Sequence, residues 1–378
     1  MTKRTKQIFL IIFLYIALLF QLRHIVAFHR GFLPPNLTIP HKLYNHTGNP
    51  NLSITFKEQM PENHPVSYKI NSQGLRENNT IEIPKPKGLY RILVVGDSFV
   101  MGINEQISVI VERELTNTFQ GMGTAFEVIN AGIGSYSPSI HLARLKHQFL
   151  SFDPDAIIYF PDLTDVQNDS HMYKSMIKYE KNGNLKRVAR SIGLTVRVRN
   201  IKTLIKNYLD LYGIWESPDR NILRDSKPGS YKGFEHSRED ENNLSKFTVA
   251  EIQFTIDFID EYIQVAKSKG IHLSFAMYPH LYQIIPENQA IKSTSNKIHN
   301  RAFEKRVKRL AKKNGLVFKS FFEKIKTHVL AEEKIYFLND MHFNDPGMAL
   351  LGGYVASWIL SDPENTIGYK PNRQTQLD

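Results

Sequence analysis

Two short segments carry residue types that could do acyl-transfer chemistry. One is Gly96-Asp97-Ser98-Phe99, which offers a serine hydroxyl; the other is Asp340-Met341-His342, which puts a carboxylate and an imidazole two positions apart. A serine hydroxyl is a weak nucleophile until a base takes its proton, and the base serves best when a carboxylate fixes its tautomer and orientation. Negative charge then collects on the substrate carbonyl oxygen and needs N–H or O–H donors around it. Other chemistries are thinly represented. The chain has no cysteine, which excludes disulfides, thiolate metal sites and cysteine nucleophiles. It has no P-loop and no Gly-x-Gly-x-x-Gly, so no cofactor is expected. No metal is expected either: His141 and His147 do not share a helix face, and Asp162, Asp165 and Asp169 read as solvated loop carboxylates. The net charge of +11 favours anionic surroundings such as phospholipid headgroups or acidic glycans. No nucleic-acid-binding motif accompanies it, so no nucleic-acid partner is expected.

The two segments lie far apart in sequence and need a scaffold to meet. Ser98 follows Arg91–Val95, a β-branched run that reads as a buried strand, and ligands of open α/β sheets sit at such strand ends. Further strands are predicted at 126–130, 156–160, 271–277 and 316–318. Helices are predicted near 106–119, 138–150, 248–269, 294–313 and 346–360, the last with Asp345 as its N-cap and Pro346 at its first position. Strands alternating with helices predict a parallel sheet covered on both faces, a three-layer α/β/α sandwich of flavodoxin-like type. Residues 166–247 break the rhythm as a polar insertion. It has seven Lys/Arg and no acid between Lys186 and Lys206. It reads as a solvated helical excursion or as a basic lid that contacts anionic glycan or membrane.

No Gly-x-Ser-x-Gly elbow occurs, which disfavours an α/β-hydrolase. Gly96-Asp97-Ser98 instead resembles the nucleophile block of the GDSL/SGNH hydrolases, and the similarity runs from about 67 to 360 apart from the insertion. The lead-in Asn71-Ser72-Gln73-Gly74-Leu75-Arg76 resembles the segment that often precedes that block in bacterial members. The second block reads Asn130-Ala131-Gly132-Ile133-Gly134-Ser135-Tyr136. The resemblance implies a backbone oxyanion donor there, at Ser135 or Gly134, beside the Ser98 N–H. The third block, normally Gly-x-Asn-Asp, reads Asp162-Leu163-Thr164-Asp165. Thr164 stands where an asparagine amide would donate to the oxyanion, and Asp162 is expected to point away or to bond locally. The last block resembles Asp-x-x-His shortened by one, with Asn339 at the three-before position, and its spacing is also similar to that in envelope O-acetyltransferases. By this resemblance Ser98 is the nucleophile, His342 the general base and Asp340 its orienting carboxylate. The stretch Tyr278-Pro279-His280-Leu281-Tyr282 follows a strand and reads either as site rim or as packing.

The N-terminus adds a location. Ile8 to Phe20 is an unbroken apolar run behind Lys3, Arg4 and Lys6, and Arg23 can snorkel at its far end. An uncleaved transmembrane anchor over 1–30 is expected rather than a cleaved signal peptide, with the rest of the chain outside the cytoplasm, periplasmic or extracellular. Residues 31–85 are rich in proline and asparagine and predict an extended juxtamembrane spacer, followed by an SGNH-hydrolase-like domain over 86–378. Asn-x-Ser/Thr triplets stand at Asn36, Asn45, Asn51, Asn78, Asn168 and Asn243. The expected function is a serine esterase acting on O-acyl, in particular O-acetyl, esters of envelope or extracellular carbohydrate or on small esters. The alternatives are an O-acyltransferase with the same residues and a non-catalytic glycan-binding or assembly protein.

Overall fold

The computed structural model describes residues 7, 9–10, 12–18, 21, 37–56, 65–189, 239, 242–285, 300–337 and 341–371. The chain divides into two units, Met1–Leu37 and Thr38–Asp378. In the first, the described residues between Gln7 and Gln21 are helical, and side chains such as Phe9 and Phe13 are exposed. Among the described residues no helix is long and apolar enough to cross a membrane. The expected transmembrane helix is thus without structural support; positions 8, 11, 19 and 20 of its apolar run lie outside the described residues.

The second unit is built on a five-stranded parallel sheet. Its strands are β5 (Leu89–Val95), β6 (Ala125–Asn130), β7 (Ala156–Tyr159), β10 (His272–Met277) and β11 (Val317–Ser320), in the order β11-β10-β7-β5-β6. The register pairs Ile92 with Val128 on one side and with Ala156 on the other. Central parallel strands are covered on both faces and read as continuous apolar runs, which is why Ile92 to Val95 are all fully buried. Successive side chains point to opposite faces. Leu93, Val95, Ile129, Ile157, Tyr159, Leu273 and Phe275 pack under helices α3 (Pro138–His147), α4 (Lys246–Ser268) and α5 (Ala302–Lys313). Ile92, Val94, Val128, Ala156, Ile158 and Ala276 pack under α2 (Ile107–Thr118), α6 (Phe322–Leu330) and α7 (Asp345–Ser361). The result is the expected three-layer α/β/α arrangement. The chain leaves β5 towards β6 on one side and returns to β7 on the other. The C-terminal end of β5 is therefore a topological switch point, where such sheets leave a crevice.

Three expectations need correction. Residues 38–85 are not an extended spacer. Their described part forms two small antiparallel pairs, β1 (Thr38–His41) with β2 (Asn45–Gly48) and β3 (Ser53–Phe56) with β4 (Val66–Lys69). It also buries Tyr44, Asn45, His46, Thr47, Asn71 and Arg76. Polar residues can be buried when hydrogen bonds meet them, and such bonds leave no periodic trace in sequence. The insertion is structured at its start: Asp165–Gln167 and Asn168–Tyr173 form helical turns, and β8 (Ile177–Tyr179) pairs with β9 (Leu185–Val188). Most of the basic run lies outside the described residues. The N-cap of α7 is Asn344, not Asp345; its side chain accepts the Gly347 N–H at 3.0 Å, which moves Pro346 to the second helical position.

Candidate active site

Ser98 takes its place from three constraints. Val95 ends β5 at the C-terminal rim of the sheet. Asp97 then caps a four-residue helix, α1 (Ser98–Met101), by accepting the Phe99 N–H at 2.9 Å. This makes Ser98 the first helical residue, half-buried at the crevice. The second block lies against α1 so closely that a Cβ on Gly132 would meet Met101 N at 2.3 Å, so only glycine fits there. From the other side, the buried Arg76 guanidinium donates to the carbonyls of Met101, Gly102 and Ile103 at 2.7, 2.6 and 2.6 Å. Those carbonyls belong to the last residue of the helix and to the two residues that follow it.

His342 comes from the far end of the domain. Tyr336 and Phe343 form an antiparallel bridge, and Phe337 N–H donates to the His342 carbonyl at 3.1 Å. The ring packs on Phe99, with centroids 4.6 Å apart. Its Nε2 lies 2.7 Å from Ser98 Oγ. With that nitrogen unprotonated, the serine hydroxyl donates to it, the geometry a general base requires. Asp340 and Asn339 lie outside the described residues, so the carboxylate expected behind the imidazole has no described position.

The expected oxyanion donors divide. A Cβ built on Gly134 would lie 3.9 Å from the Ser98 Cβ, so this loop borders Ser98. Ser135 is exposed and holds φ at 62°, a left-handed conformation that is costly for a residue with a side chain. Among the described residues, the N–H groups of Ser98, Gly134 and Ser135 donate to no protein acceptor. Thr164 is different. Its hydroxyl and its N–H both donate to Asp162 Oδ1, at 2.6 and 2.7 Å. A hydroxyl has one hydrogen to give, so Thr164 offers none to an oxyanion.

Asp162 bonds locally, as its sequence position suggested, but not in solvent. Asp162, Asp165 and Asp169 are all buried, contrary to the expectation of solvated carboxylates. Asp162 Oδ2 accepts His280 Nε2–H at 2.7 Å, with both side chains fully buried. Burial opposes the Asp162 charge; His280 and the hydrogen bonds from His280 and Thr164 outweigh it and hold the carboxyl below its ordinary range. Asp165 Oδ2 accepts the Asp162 N–H at 2.8 Å, and Asp169 Oδ1 accepts the Ser137 hydroxyl at 2.6 Å. Burial pushes Asp165 far up and Asp169 up to about 7. Asp97 is pushed up by burial and by the nearby Asp162 charge; Phe99 N–H, His342 and the Tyr278 hydroxyl oppose the shift.

His280 was read only as rim or packing. Its signal was positional. Ser98, Asp162 and His280 each stand three residues past the ends of adjacent strands, β5, β7 and β10. His141 is a buried structural histidine. Its Nε2–H donates to the Gly96 carbonyl at 3.0 Å and its Nδ1 accepts from the Tyr159 hydroxyl at 2.9 Å. Among the described residues no His, Asp or Glu cluster has the spacing to hold a metal ion.

No protein-family model and no curated protein matches the chain. Solved structures do. A lipase/acylhydrolase from Enterococcus faecalis aligns at 13% identity and TM-score 0.41, over 75% of this chain and 99% of that one. A two-domain esterase active on acetylated mannans aligns at 15% identity and TM-score 0.40, over 76% of this chain and 53% of that one. A catalytic mutant of an acetylxylan esterase from Geobacillus stearothermophilus aligns at 9% identity and TM-score 0.42, over 71% of this chain and 94% of that one. These likenesses concern fold, and no residue role is taken from them.

Proposed function

We propose that this chain is a serine esterase that forms its acyl-enzyme on Ser98. The observation that carries the reading is the 2.7 Å approach of His342 Nε2 to Ser98 Oγ, across 244 residues of sequence, at the switch point of a parallel sheet. His342 takes the hydroxyl proton as Oγ attacks the ester carbonyl and the C–Oγ bond forms. The Ser98 N–H and the Gly134-Ser135 loop receive the oxyanion. The bond to the leaving alcohol then breaks, and His342 returns the proton to that alcohol. Water, activated by the same imidazole, splits the C–Oγ bond and releases the acid. Asp340 is proposed as the group that orients the ring.

The proposed substrates are O-acyl, in particular O-acetyl, esters of envelope or extracellular carbohydrate. The support for this class is the resemblance of the four sequence blocks, together with the apolar run at Ile8–Phe20 as an anchor that holds the domain outside the cytoplasm. The Asp340-Met341-His342 spacing supports a second reading, in which a sugar hydroxyl replaces water and the enzyme is an O-acyltransferase.

The test uses cells that produce the full chain or Ser98→Ala, treated with a membrane-impermeant fluorophosphonate. Labelling of intact cells that vanishes in Ser98→Ala is the expected result. Labelling only after lysis would overturn the outside location, and none in either state would leave a non-catalytic binding protein. Acetate released from an O-acetylated polysaccharide, against acetate transferred to an added oligosaccharide, then separates esterase from transferase.

A further inference from the structure

His46 lies in the segment that the sequence presents as a spacer, yet the fold buries it behind the oxyanion loop. Its Nε2 lies 2.9 Å from the Gly134 carbonyl oxygen. A carbonyl only accepts, so this nitrogen carries the hydrogen and donates. The residue is held at two further points. Its own carbonyl accepts the Tyr136 hydroxyl, and its ring meets the Tyr136 ring edge-on at 4.9 Å. On the far side of the loop, the Tyr173 hydroxyl donates to the Ser135 carbonyl at 2.7 Å.

These bonds fix a direction. In a trans peptide the C=O and the following N–H point opposite ways. His46 holds the Gly134 carbonyl, so the Ser135 N–H must face away from His46. That N–H has no protein acceptor among the described residues, and it belongs to an exposed residue beside Ser98. The left-handed Ser135 backbone is unfavourable for a residue with a side chain and persists only where its surroundings impose it. His46 and Tyr173, gripping the carbonyls on either side, impose it here.

We infer that His46 is a positioning residue for the reaction: by donating to the Gly134 carbonyl it aims the Ser135 N–H, rather than that of Gly134, at the developing oxyanion. The inference rests on the esterase reading and assigns the donor which that reading leaves open. His46 touches no reacting atom; it acts through one peptide plane.

The test is p-nitrophenyl acetate hydrolysis by the full chain in neutral detergent, with His46→Leu, His46→Gln and His46→Asn melted alongside. Gln places an amide N–H near the position of Nε2; Asn is too short. The expected result is a fall in kcat of roughly ten- to a hundredfold in Leu, with KM unchanged, because a misplaced donor acts on the transition state. Gln restores kcat to near the wild-type value and Asn does not. Should Leu fail to fold, the Gln–Asn pair decides alone. A folded Leu or Asn variant with wild-type kcat overturns the inference, as does a Gln variant no better than Asn. Wild-type turnover that persists in Ser98→Ala overturns the esterase reading instead, so the two failures stay distinct.

Discussion

Thr164 has a single hydroxyl hydrogen, and it goes to Asp162. An oxyanion donor at this position would be worth a hundredfold or more in kcat, about 3 kcal/mol of barrier. A hydrogen bond to a buried carboxylate is worth about 1.5–3 kcal/mol of fold stability. The two roles therefore predict different losses for Thr164→Val, which keeps the shape and removes the hydroxyl. We expect kcat within about threefold of wild type and a fold weakened by roughly 2 kcal/mol, read from esterase assays and a denaturant melt. A hundredfold loss of kcat at unchanged stability would restore Thr164 to the oxyanion hole. The sequence could not show where the Thr164 hydrogen points, because that depends on Asp162, and Asp162 is fixed by His280, more than a hundred residues away.

At the scale of elements, legibility followed periodicity. The five sheet strands and the helices over them were readable because parallel strands buried on both faces must be apolar runs, and the helices between them must be amphipathic. The small pairs β1–β2 and β3–β4 were not, since Asn45-His46-Thr47-Gly48 is buried through tertiary hydrogen bonds that no local pattern records. The turns Asp165–Tyr173 went unread for a related reason: they carry Asp165 and Asp169 inward, where an acid is not expected. That burial has a measurable sign. Asp169 Oδ2 has no partner among the described residues, and burial raises the carboxyl from 3.8 to about 7. Between those values the unfolded chain has released this proton and the folded chain still holds it. Stability from this site is therefore complete below pH 4 and falls as pH rises through 7, by up to about 1.4 kcal/mol per unit. Asp169→Asn retains an oxygen for Ser137 and has no proton to lose. Melting temperatures taken from pH 4 to pH 8 should decline less steeply in the variant than in wild type; parallel profiles would mean that Asp169 is ionised in the fold.

For the whole molecule, the question is where the catalytic unit begins. Composition put the boundary near residue 86, because proline and asparagine dominate before it. The contacts put it at Thr38. What lies between holds the site from behind. Arg76 satisfies three carbonyls at the end of the nucleophile helix, Glu77 Oε1 accepts the Asn130 N–H at 2.6 Å at the start of the second block, and His46 grips the Gly134 carbonyl. Removing residues 38–85 would take these partners away, leaving only the Met101 carbonyl with a second donor, Asn130 Nδ2 at 3.3 Å; each buried group left unpaired costs about 1–3 kcal/mol. Summed, that approaches the whole stability of an ordinary domain, about 5–15 kcal/mol. A chain of 38–378 should therefore fold and take a fluorophosphonate on Ser98, whereas 86–378 should show neither a cooperative melt nor labelling. If 86–378 melts cooperatively and labels as fast as 38–378, the N-terminal segment is only attached to the catalytic unit, and the sheet with its helices builds the site unaided.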